Sequence, residues 1–318
     1  MNEDLLRNSL IYMGQSPVAK KVVTETPLRG MARRFVPGET VGDILGAARE
    51  ANRAGLSVTA NYLGESVKNE ANARRAADVY IELLERMHAE GIEGNVSLKF
   101  TQLGQDIGEG FLRDNLGRVL HTAKQTGMFI RFDMEGSGYT ERTLEAFEAL
   151  WNEGWRDIGV VLQAYLFRSI GDVHRMNQLG ARVRLCKGAY AEPADVAFQG
   201  RSEVDGSFVE LMKLLLAEGK YPGIATHDEA MIRATLDFAK AEGIGPDRFE
   251  FQMLHGVRRD LQMRLAREGW RVRAYVPFGE AWYPYLMRRL AERPANMLFM
   301  AGSIVKETPF GFLWPKSK

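Results

Sequence analysis

Near the C-terminus, Tyr285-Leu286-Met287-Arg288-Arg289-Leu290-Ala291-Glu292 sets a tyrosine, two arginines and a glutamate at spacings that share one face of a helix. Paired guanidinium groups so placed suit a bidentate grip on a carboxylate. The same residues also read as a solvated face, with Arg288 and Arg289 paired to Glu292 and Glu280 and Tyr285 resting on a neighbour. The residues alone leave both readings open. Upstream, Glu65, Lys99, Asp133, Gln163, Arg184 with Lys187, Thr226 with His227, Gln252 with His255, and Tyr275 lie at the ends of short strand-like runs. One charged residue in such a place is commonly a salt-bridged rim residue. A polar or ionisable group at every run end is a stronger pattern. Its donors Lys99, Arg184, Lys187, His227 and Gln252 suit a ligand that carries phosphates and a carboxylate.

Several other chemistries lack their residues. The five histidines form neither an H-x-H nor an H-E-x-x-H pair, which argues against a barrel metallohydrolase. No G-x-S-x-G elbow is present for a serine hydrolase. A Schiff-base aldolase needs one activated strand-end lysine, and Lys99 or Lys187 can fill that role on paper. The lone cysteine, Cys186, excludes an intrachain disulfide and reads as a buried inert thiol inside a strand.

The elements that must position these groups repeat. The runs are 57–63, 95–100, 128–133, 157–164, 182–187, 223–227, 249–253 and 271–276, and amphipathic stretches such as Ala76, Val79, Tyr80, Leu83, Leu84 and Met87 separate them. Helix-ending glycines are expected at Gly91, Gly127, Gly154, Gly180, Gly219 and Gly269. An open doubly wound sheet would carry a glycine-rich phosphate loop after its first strand, where this chain reads Tyr62-Leu63-Gly64-Glu65. Gly136-Ser137-Gly138-Tyr139-Thr140-Glu141 lacks the last glycine of that fingerprint. The pattern therefore predicts an α/β fold of the closed (β/α)8 TIM-barrel type over 57–293, with active groups at the C-terminal strand ends. Residues 1–56 are expected to form a helical arm that packs on the barrel, opening its last helix at Glu39-Thr40-Val41-Gly42-Asp43, and 294–318 a tail.

The 318 residues, 45% hydrophobic, suffice for one large core. With 42 basic against 41 acidic side chains, nothing in the charge points to nucleic acid or to an anionic membrane surface, so the expected partner is small. The acidic start and the lack of a long apolar run predict a soluble, cytoplasmic protein, with peripheral contact at the inner membrane left open.

Taken in order, these segments resemble the proline dehydrogenase family, both monofunctional enzymes and the matching domain of bifunctional proline utilization A. They are Leu98-Lys99, Asp133-Met134-Glu135, Leu162-Gln163-Ala164-Tyr165, Arg184-Leu185-Cys186-Lys187-Gly188-Ala189-Tyr190, Ala225-Thr226-His227, Phe249-Glu250-Phe251-Gln252-Met253-Leu254-His255-Gly256, and Tyr275-Val276-Pro277-Phe278-Gly279 leading to Tyr285, Arg288, Arg289 and Glu292. The resemblance implies noncovalent FAD and oxidation of L-proline to Δ1-pyrroline-5-carboxylate by hydride transfer to the flavin, as the first step of proline catabolism. Electrons would pass on to a membrane quinone, and a separate pyrroline-5-carboxylate dehydrogenase would process the product.

It also implies roles. Arg288, Arg289 and Lys99 would hold the proline carboxylate, with Glu292 in the same helical motif. Tyr275, Tyr285, Leu185 and Tyr190 would wall the ring, and Asp133 would orient Lys99. Glu65 would pair with Arg288 and help close the site. Met134, Gln163, Arg184, Lys187, Gly188, Ala189, Thr226, His227 and Gln252 would hold the flavin. Tyr275 would favour proline over hydroxyproline, because its bulk would crowd a ring hydroxyl. Ala191 stands where bifunctional members carry an aromatic residue, and the stretch from Tyr275 to Tyr285 is a little shorter than theirs.

Overall fold

The computed structural model describes Ser16 and residues 32–292, and for 288–292 it describes the helix but not the side chains. Most of the expected arm and the whole tail lie outside the described residues. Two compact units divide the chain. One is Pro37–Gly279, and the other joins Met1–Val36 to Glu280–Lys318.

In the larger unit, α1 (Val41–Arg53) precedes an alternation of strand and helix: β1 (Ser57–Tyr62), α2 (Glu70–Ala89), β2 (Gly94–Leu98), α3 (Glu109–Thr126), β3 (Ile130–Phe132), α4 (Ser137–Asn152), β4 (Ile158–Gln163), α5 (Ser169–Leu179), β5 (Arg182–Cys186), α6 (Arg201–Glu218), β6 (Gly223–Ala225), α7 (Glu229–Ala241), β7 (Glu250–Leu254), α8 (Arg259–Arg267) and β8 (Val272–Phe278). The strands form a closed barrel in sequence order. Closure comes from parallel pairing of β1 with both β2 and β8, so that Thr59 lies opposite Asn95 on one side and Tyr275 on the other. No helix among the described residues is long and apolar enough to cross a membrane. In the smaller unit, α9 (Trp282–Glu292) is the described helix of its C-terminal part.

The outer ring of such a barrel takes eight helices, of which α2 to α8 provide seven. The eighth place is filled from upstream. Helix α1 packs against β1 and β8, and its Val41, Ile44, Leu45 and Ala48 enter the main core. A reciprocal capping box starts it: Asp43 N–H donates to Thr40 Oγ1 at 3.2 Å, and Thr40 N–H donates to Asp43 Oδ2 at 2.9 Å. Helix α1 thus covers the seam between the last and first strands.

Five of the six glycines expected at helix ends adopt positive φ. Gly219 does not, being extended at φ −80°, and Tyr221 takes a left-handed φ of 49° two residues later. A Cβ at Gly219 would come 2.5 Å from the Leu215 carbonyl oxygen, so close approach rather than backbone handedness requires glycine there.

Side chains alternate along each strand. Val58, Ala60, Val96, Leu98, Ile130, Phe132, Phe251 and Met253 join the apolar core, while the residues between them carry a polar network. That network includes Thr59, Asn95, Ser97, Arg131, Asp133, Arg184, Glu250 and Gln252, all nearly or fully buried. Polar residues here replace the branched aliphatic layers usual in such barrels. Glu250 accepts from Arg273 Nε at 2.6 Å and Nη2 at 2.9 Å. Burial pushes the Glu250 carboxyl up, but the charges and hydrogen bonds of Arg273, with Arg131 and Gln252, outweigh it and leave it below the ordinary range.

Replacing Arg273 by methionine leaves that carboxylate buried and underpaired, and should cost about 3–5 kcal/mol in urea unfolding at neutral pH. Because the folded Glu250 titrates lower than the unfolded one, its stabilisation is complete above the ordinary glutamate range and fades as pH falls through the folded value. The penalty of Arg273→Met should therefore shrink in acid. Equal penalties at neutral and acidic pH would contradict this account.

Candidate active site

At the C-terminal strand ends the centre is Arg184. Its Nη1 donates to Asp133 Oδ1 at 2.6 Å, its Nε donates to Gln252 Oε1, and its guanidinium lies 5.2 Å from the Tyr275 ring centroid. Asp133 also accepts from Ser97 Oγ at 2.6 Å and from the Tyr275 hydroxyl at 2.7 Å. A chain of hydrogen bonds thus runs from Tyr275 through Asp133, Arg184 and Gln252 to Glu250, where Gln252 Nε2 donates at 2.5 Å. Its members come from β5, β7, β8 and the residue that follows β3, with Ser97 of β2 bonded to Asp133, so closure of the barrel builds it. Asp133 therefore holds Arg184 and Tyr275. Lys99, which Asp133 is expected to orient, has its Nζ beside Glu65 Oε2 in this structure.

A second group sits on the loops above. Lys99 Nζ lies 3.7 Å from Glu65 Oε2, and the Tyr190 hydroxyl reaches the same oxygen at 3.5 Å. The expected partner of Glu65, Arg288, has its side chain outside the described residues. Glu135, which the strand-end survey passed over, is buried beside them and accepts from Thr101 Oγ1 at 2.7 Å. Burial raises its carboxyl above the ordinary value, against the pull of Thr101 and Lys99.

The remaining predicted residues are placed as follows. Gln163 Nε2 donates to the Glu135 carbonyl at 2.9 Å, and Met134 is buried. Lys187 Nζ pairs with Asp205 and, at 2.8 Å, with Asp228, which caps α7. Asp228 is held below the ordinary carboxylate range: burial pushes it up, but Lys187, the Ala230 N–H and Arg201 outweigh that. Thr226 Oγ1 accepts from Asp228 N–H at 3.1 Å, and His227 Nε2 accepts from Leu254 N–H at 2.8 Å, so these two brace the loop. Gly188 has φ 124°, and a Cβ there would meet the Tyr165 ring at 2.4 Å, which requires glycine twice over. Ala189 lies in the same loop.

Leu185 is fully buried in the apolar core and exposes no surface to a ligand in this structure. Cys186 ends β5 only partly buried, with Sγ 3.6 Å from the Leu162 carbonyl oxygen, rather than inside the core. Tyr285 lies on α9, where Arg288, Arg289 and Glu292 follow at three, four and seven residues. The side chains of those last three fall outside the described residues.

What the barrel end can do follows from its donors. Among the described residues Arg184 Nη2 is buried with no hydrogen-bond partner, which is costly unless a ligand atom accepts from it. That orphaned donor, with Gln163 at the end of the neighbouring β4, fits the electron-rich edge of a flavin ring. The aldolase alternative loses its main support, because Lys99 and Lys187 both sit against carboxylates, whereas a nucleophilic amine is activated by desolvation or by neighbouring cations.

Comparison with known proteins agrees with this geometry. Residues 44–302 match the family described as Proline dehydrogenase. The chain is 39% identical to the proline dehydrogenase of Deinococcus radiodurans over 96% of its own length and all of the relative's. It is 37% identical to proline dehydrogenase 1 of Bacillus subtilis strain 168 over 95% of its length and all of that relative's. A crystal structure of proline utilization A from Bdellovibrio bacteriovorus, inactivated by N-propargylglycine, superposes with a TM-score of 0.80 at 26% identity, covering 93% of this chain and 36% of that one. With family, fold and polar barrel end in agreement, the chain belongs to the proline dehydrogenase family.

Proposed function

We propose that this protein oxidises L-proline to Δ1-pyrroline-5-carboxylate with FAD as cofactor, passes the electrons to a membrane quinone, and leaves the product to a pyrroline-5-carboxylate dehydrogenase. The observation that carries the reading is the buried, partnerless Nη2 of Arg184 within the Asp133–Arg184–Tyr275 cluster, a donor that needs an acceptor from a ligand. FAD, when bound, supplies the hydride acceptor. Arg184, Gln163, Lys187, Gly188, Ala189, Thr226, His227, Gln252 and Met134 would hold it.

Substrate recognition falls to other groups. Arg288 and Arg289, one residue apart on α9, would grip the carboxylate together with Lys99, and Glu65 would balance their charge. Tyr275 and Tyr190 would flank the ring, with Tyr285 from α9. Tyr275 is held by its hydroxyl on Asp133, and that fixed bulk would exclude a hydroxylated ring. The test is product identity. One equivalent of pyrroline-5-carboxylate per proline consumed, measured by mass spectrometry with an artificial quinone acceptor, is expected. Turnover to any other product would overturn the reading.

The substrate amine must be neutral to stabilise the cation that forms at the neighbouring carbon. His255 does not complicate the profile, because burial, aided by the charge of Arg259, lowers it to about 4. kcat/KM for proline should therefore rise steadily from neutral to alkaline pH. A flat profile over that range would count against an amine deprotonation step.

A further inference from the structure

The opposite mouth of the barrel holds a half-open polar cavity of about 470 Å³. It opens among the N-terminal ends of β1, β2, β5, β6 and β8, away from the strand ends that carry the proposed redox site. Four cations, Arg182, Lys220, Arg271 and Arg273, line it against one carboxylate, Glu93. Arg273 is committed to Glu250. Among the described residues, the others have no carboxylate within ion-pair distance. Arg182 meets only aromatic faces, those of Phe129 at 5.1 Å and Tyr221 at 5.5 Å. Arg271 lies 5.6 Å from the Tyr221 ring centroid and donates to the Tyr221 hydroxyl at 3.2 Å, with Asp247 and Glu250 acting on it through their fields.

Tyr221 organises the group. Its φ of 49° is costly for an aromatic residue, about 1–3 kcal/mol, and such strain persists only where surroundings impose it. Here the hydroxyl donates to Glu250 Oε2 at 3.2 Å, and the ring carries the two guanidinium groups. Beneath them Arg131, 2% exposed, donates to the Arg182 carbonyl at 2.6 Å, and its Nε has no partner. Arg182, Lys220 and Arg271 thus stand close together with Glu93 as the one carboxylate of the lining, and an added anion would offset their mutual repulsion. A cavity of this size accommodates a small ligand.

We infer that the N-terminal mouth of the barrel is a binding site for a small polyanion bearing at least two phosphate- or carboxylate-type groups, held by Arg182, Lys220 and Arg271. Planar guanidinium groups and a flexible ammonium suit such groups, and the site lies at the end of the barrel opposite the proposed redox site. Isothermal titration of the flavin-loaded protein with inorganic pyrophosphate and with citrate, at constant ionic strength, tests it. One equivalent of at least one probe should bind with a Kd below about 1 mM, and the tighter of the two identifies phosphate or carboxylate chemistry. The double variant Lys220→Gln/Arg271→Gln should bind roughly tenfold or more weakly while its flavin spectrum and basal proline oxidation stay unchanged. Absence of saturable binding by both probes, or equal affinity in the double variant, would overturn the inference.

Discussion

Replacing Arg184 by methionine should yield a pale protein with at least about a hundredfold less proline-oxidising activity, on the scale of a lost preorganised donor. The change removes the orphaned donor assigned to the proposed flavin and leaves Asp133 buried beside Ser97 and Tyr275 without its cation. Breaking a buried pair from one side costs about 3–5 kcal/mol. For a domain of this size that lowers Tm by roughly 10 °C. Lost stability alone could mimic a functional effect, and the double variant Arg184→Met/Asp133→Leu separates the two. Removing both charges should restore much of the stability, as seen when buried pairs are replaced by apolar groups, but not the colour or the activity. Arg184→Met protein that keeps its flavin and its turnover would refute the role assigned to this arginine.

The second large effect is expected on α9. Changing Arg288 or Arg289 to methionine should raise KM for proline sharply, with flavin content unchanged. Truncating one partner of a desolvated charge pair costs about 2–5 kcal/mol, so kcat/KM should fall by roughly thirtyfold to a few thousandfold. The split between substrate affinity and cofactor content is the diagnostic. Loss of flavin in either variant would move these arginines to the cofactor, and an unchanged KM would remove them from the site.

How far residues alone reached can be judged element by element. The strand runs were legible because β-branched residues alternate with polar ones and helix-ending glycines punctuate them. Boundaries shifted where pairing overrode pattern. β8 runs on to Phe278 because Asn61 and Tyr62 of β1 continue to pair with Pro277 and Phe278. β3 is reduced to Ile130–Phe132, although Asp133 N–H still reaches the Leu98 carbonyl. Taking over the eighth outer place by α1 was not legible, since it depends on closure between β1 and β8, whose side-chain contacts span 215 residues.

The site divides in the same way. Strand-end residues such as Asp133, Arg184 and Tyr275 stood out because charge at the end of an apolar run is conspicuous. Arg131, Glu250 and Arg273 sit earlier in their strands, where a strand-end pattern does not single them out, although the alternation of Ile130-Arg131-Phe132 and Glu250-Phe251-Gln252 puts Arg131 and Glu250 on the same faces as Asp133 and Gln252. Applying period two through the strand, rather than to its tip, would have found the whole inward network. The pairing of Lys99 with Glu65 required loop geometry that no spacing encodes.

The most direct measurement is the visible absorbance spectrum of the purified protein before and after anaerobic addition of L-proline. A flavin band that bleaches with proline and persists with hydroxyproline is the predicted result. A band unaffected by proline, or a colourless protein that FAD does not reconstitute, would contradict the assignment.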